Sequence, residues 1–76
     1  MYKQQKIIIL RQYETYCYQI CHYIVQNEQF SSRAAETALL KLATDAQFFT
    51  DSDEMRKEKV KRMSICASLS CFTEPN

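Results

Sequence analysis

Glycine is absent from the chain, and the only proline is Pro75. Glycine supplies positive-φ turns and phosphate-cradling loops at the least steric cost. Without it, tight hairpins and nucleotide-binding loops are disfavoured, and helices joined by short polar turns are favoured. A dominant charge is missing as well: ten Lys and Arg against nine Asp and Glu leave a formal +1. So weak a net charge gives no strong pull toward nucleic acid or an anionic membrane. Long hydrophobic runs are also lacking. Ile7 to Leu10 falls far short of the ~20 residues a membrane span needs. Arg11 and Glu14 follow it too closely for an export signal. The four cysteines would allow two disulfides, but nothing points to export, so reduced thiols in the cytoplasm are expected.

What the chain does have is apolar residues at helical spacing. Its 76 residues make one helical domain, residues 1–76. A domain this small buries only about 60% of its unfolded surface, so its core is thin and self-association is a common remedy. The first helix is predicted over residues 5–28. At about 100° per residue, Ile9, Leu10, Tyr13, Tyr16, Cys17, Ile20, Cys21, Tyr23, Ile24 and Val25 fall in an arc of roughly 160°. Arg11, Gln12, Glu14, Thr15, Tyr18, Gln19 and His22 occupy the other side. A helix with one neighbour needs a stripe of only about 100°, so two neighbours are expected. Met1 to Gln4 is expected to fray. Asn27 is the local candidate for a left-handed helix end.

The second helix is predicted over residues 32–49, capped by Ser31 or Ser32, with Phe30 stapled on Ala35. Its stripe is Ala35, Leu39, Leu42, Ala46 and Phe49. The third helix is predicted over residues 52–71. Asp51 and Glu54 have capping-box spacing, and Asp53 with Lys57 and Glu58 with Arg62 form i,i+4 pairs. Val60, Met63, Ala67 and Cys71 line one face of it, and Ile65, Leu69 and Phe72 another. The expected fold is therefore an all-α, small three-helix bundle that self-associates.

Several apolar residues have no evident place in such a core. Tyr13, Tyr16, Tyr23, Leu40, Phe48, Ile65, Leu69 and Phe72 are the candidate partner-binding residues. Tyrosine offers large apolar area at small entropic cost and is enriched at interfaces. Tyr13 and Tyr16 also fit a plainer role, as core residues with hydroxyls at the rim.

Other chemistries have thinner support. Cys17 and Cys21 share a helix face, with His22, Cys66 and Cys71 as further conceivable ligands. Structural zinc sites take their ligands from turns, whereas buried cysteine usually packs as a small hydrophobe. No metal or cofactor is expected. His22 lies on the polar face without an orienting partner, so no enzyme is expected either. Arg56, Lys57, Lys59, Lys61 and Arg62 form one basic cluster, interleaved with Glu54 and Glu58. A solvated, salt-bridged face explains it better than phosphate contact, and weak nucleic-acid binding is the alternative function. The expected function is a small, non-enzymatic protein–protein interaction module of regulatory or adaptor type. Its expected partners are a second copy of itself, in a homodimer, and another protein, with no membrane contact.

Overall fold

The computed structural model describes the backbone of residues 3–73 and the side chains of residues 5–71. Among these the chain is helical, with no strand. It forms α1 (Lys3–Gln12), α2 (Glu14–Val25), α3 (Glu28–Ala43), a 3-10 turn (Ala46–Phe49) and α4 (Asp53–Thr73). The closest packing is among α2, α3 and α4, each against the other two. This gives α2 the two neighbours that its broad apolar arc requires. Tyr13 meets Asp53 and Cys17 meets Ser64, so α2 and α4 run the same way. Phe30 meets Cys71, so α3 runs against them.

The predicted first helix is two helices. They break at Tyr13, where φ is −107° and ψ is 2°. No proline or glycine causes the break. At the break the Tyr13 side chain is buried in the core and its N–H bonds Leu10 O at 3.1 Å, a tightened turn. α2 ends at Gln26, which takes the left-handed conformation (φ 56°) in place of Asn27. Asn27 is instead the N-cap of α3, its side chain accepting from Phe30 N at 3.0 Å. α3 therefore starts four residues before Ser32. Ser31 is buried inside it and bonds His22 Nδ1 at 3.2 Å. Phe30 is exposed and staples nothing.

The predicted second helix also stops early. Thr44 donates to Lys41 O, and Asp45 accepts from Gln47 N at 3.0 Å, which ends one helix and starts the 3-10 turn. That turn re-aims Phe48, which as a continuous helix would point outward, into the core. Lys41 provides the basic residue of the last turn of α3. At the start of α4, Ser52 Oγ, not Asp51, accepts the capping bond, from Met55 N at 3.3 Å.

The interior is built mostly from small side chains. Phe48, Leu42 and Val60 are the largest residues fully buried, followed by Cys17, Cys21, Ser31, Ser64 and Ser68. Ala34, Ala35, Ala38 and Ala67 join them. Small residues let the three helices approach closely, but they bury little apolar area per residue. Larger apolar residues therefore stay outside: Ile7, Ile8, Tyr23, Leu40 and Leu69 are all about half exposed or more. No helix among the described residues is long and apolar enough to cross a membrane.

Candidate interaction surface

The candidate partner-binding residues separate into three groups. Tyr13 (5% exposed) and Phe48 (0%) belong to the core and present no surface. Their rings meet edge to face at 5.9 Å between centroids. Interface roles for these two are thus corrected: Tyr13 faces inward on the apolar arc, and a 3-10 turn not visible in the apolar period turns Phe48 inward. The plainer role holds for Tyr13, whose hydroxyl donates to Asp53 at the core's edge.

The second group comes together. Tyr16, Tyr23, Ile20 and Ile24 of α2 and Ile65 of α4 line an open groove of about 400 Å³, with Lys61 on its rim. Tyr23 is 81% exposed and stands furthest out. Leu69 follows Ile65 by one turn on α4 and is also exposed. The groove arises because α4 turns Val60, Ser64, Ala67 and Ser68 toward the core and Ile65 and Leu69 away from it. Phe72 lies outside the residues whose side chains are described.

Leu40 stands apart, in a second and larger groove of about 650 Å³ between the α1–α2 segment and α3. Its floor includes Ile7, Leu10, Ala35 and Leu39, and Arg11, Glu14 and Glu36 line it too. The apolar period did not foreshadow this groove, which is lined by α1, α2 and α3 together. Tyr18, read as a polar-face residue, also lines it and stacks on His22 at 5.6 Å.

The five basic residues of α4 do not form a stripe. At 100° per residue they spread around the whole helix, and four of them are engaged within the chain. Arg56 donates to Phe48 O at 3.0 Å and Phe49 O at 2.6 Å, satisfying carbonyls at the end of the 3-10 turn. Its guanidinium also lies over the Phe48 ring, 5.9 Å from its centroid. Lys59 pairs with Asp51 at 2.6 Å and Asp45 at 3.1 Å, tying both sides of that turn to α4. Lys57 pairs with Asp53 at 3.5 Å and Arg62 with Glu58 at 3.8 Å, the two expected i,i+4 pairs. Among the described residues Arg56 and Lys61 form no ion pair, and of the two only Lys61 lacks a hydrogen bond as well.

These contacts set the protonation behaviour of the junction. The hydrogen bond from Tyr13 holds the Asp53 carboxyl below the ordinary carboxylate range. Burial, and then Asp53 itself, push the Tyr13 phenol up. Lys59 lowers Asp45, and Asp51 raises Lys59.

The cysteines offer no accessible nucleophile in the core. Cys17 and Cys21 are fully buried, and all four thiols are free. Ser64 Oγ donates to Cys17 Sγ at 3.0 Å, and Cys17 Sγ donates to Ala35 O at 3.7 Å. The hydrogen bond with Cys21, and then burial, hold Cys17 in its neutral thiol form well above the usual thiol range. Among the described residues no three His, Cys, Asp or Glu side chains cluster as metal ligands would. Comparison with known proteins gives no match to a family model, a curated protein or a solved structure.

Proposed function

We propose that this chain is a small non-enzymatic interaction module that self-associates and offers its tyrosine-lined groove to a helix of another protein. One observation supports the reading above all. None of Tyr16, Ile20, Tyr23, Ile24 and Ile65 is fully buried, and these five gather into one groove instead of scattering. A contiguous apolar patch marks an interaction site where single exposed residues do not. The shape suits an amphipathic helix laid between α2 and α4, with Tyr23 as the aromatic anchor. A regulatory or adaptor role follows from a binding surface without catalytic chemistry. Free thiols fit the cytoplasm.

No observation favours the nucleic-acid alternative, in which Arg56 to Arg62 would contact phosphates. Four of its five residues are already engaged within the chain, Arg56 and Lys59 across to the 3-10 turn and Lys57 and Arg62 along α4. The test is site-specific photo-crosslinking in cells. A crosslinker at position 23 is expected to give discrete protein adducts that disappear in an Ile65→Asp background. A control crosslinker at exposed Lys41 is expected to give none of them. Identical adducts from both positions would remove the groove as the binding site.

A further inference from the structure

The larger groove, between the α1–α2 segment and α3, points to its own occupant. We infer that it holds α1 of a second copy of this chain, in a two-fold dimer in which Arg11 of each copy meets Glu36 of the other. This deepens the self-association just proposed and rests on it.

Two observations converge on that occupant. The first is charge. Arg11 and Glu36 face the same groove from opposite walls, yet no ion pair joins them, and Glu14 is likewise unpaired. α1 has the sequence KQQKIIILRQ, with three basic residues and no acidic one. A second α1 therefore brings positive charge to two unneutralised carboxylates. A two-fold axis makes the contact reciprocal, so each dimer gains the pair twice.

The second observation is the apolar content. Ile7 is 51% exposed and Ile8 56%, both on α1, and Leu40 on the facing wall is 64% exposed. Apposing two copies gives these residues cover within one continuous contact.

Sedimentation velocity on charge-reversal variants tests the assignment, with helicity by circular dichroism as the folding control. Arg11→Glu alone and Glu36→Arg alone each place like charges together twice and are expected to weaken the dimer by roughly tenfold or more. Mixing the two variants creates two attractive pairs in the heterodimer and is expected to restore wild-type affinity to within a few-fold. Leu40→Asp is expected to abolish the dimer, and Tyr23→Asp, in the other groove, to leave it intact. If the wild type dimerises but Leu40→Asp has no effect, or the mixture fails to recover, the second copy does not sit here, although self-association stands. Loss of the dimer with Tyr23→Asp alone would move the interface to the smaller groove. A wild type that stays monomeric would overturn self-association and this assignment together.

Discussion

The Tyr13 hydroxyl donates to Asp53, forty positions along the chain, and its ring packs on Phe48. Sequence spacing placed Tyr13 correctly on the apolar arc of α2 but could not give it a partner that distant. Phe48 was harder to place, because it sits inward only after Thr44 and Asp45 have ended α3. The Asp53 bond makes a pH-dependent prediction. Its folded-state pKa lies below the unfolded value of about 3.9. Its contribution is therefore fully present above that pH and is lost as pH falls through the folded value. Lys59 has the opposite sign. Its raised pKa contributes below the unfolded value and is lost as pH rises through the folded one. Urea denaturation across pH is expected to show a plateau at neutral pH with a decline on both flanks. Asp53→Asn should lower the plateau and flatten the acid flank. An unchanged acid flank would show that Asp53 is not held by Tyr13.

Elements that packing defines were less legible than elements that periodicity defines. The face of α4 carrying Val60, Met63, Ala67 and Cys71 turns toward the core, and Ile65 and Leu69 turn away, as the spacing predicts. Both i,i+4 pairs on that helix form. The two breaks were missed for different reasons. The one at Tyr13 has no local signal, since neither proline, glycine nor a capping side chain marks it. The one at Thr44 and Asp45 has a signal, because Asp is a strong N-cap residue, but the alanine- and leucine-rich run around it outweighed that cue. The 3-10 turn is started by local caps and tied down by α4. Arg56 holds its two terminal carbonyls, so Arg56→Ala is expected to cost about 2 kcal/mol in chemical denaturation. Lys61→Ala, on the same helix but without partners, is expected to stay within about 0.5 kcal/mol of wild type. Equal effects would mean that Arg56 is an ordinary surface cation.

At the scale of the whole molecule, composition sets a conflict. Alanine, serine and cysteine on the inner faces bring α2, α3 and α4 close together. Large apolar residues that a thicker core would absorb are then left outside, several of them on two outer grooves. A domain of this size has roughly 5–10 kcal/mol of stability, of which Phe48→Ala alone is expected to remove about 3–5 kcal/mol. So narrow a margin makes further burial by association an effective route to stability. The sequence showed this surplus of apolar residues, but not the two grooves, whose walls come from different helices packed together. Sedimentation equilibrium of the unmodified chain, from low to high micromolar concentration, tests the central claim most directly. The mass is predicted to rise toward twice 9.0 kDa as concentration increases. A mass that stays at 9.0 kDa throughout would contradict it.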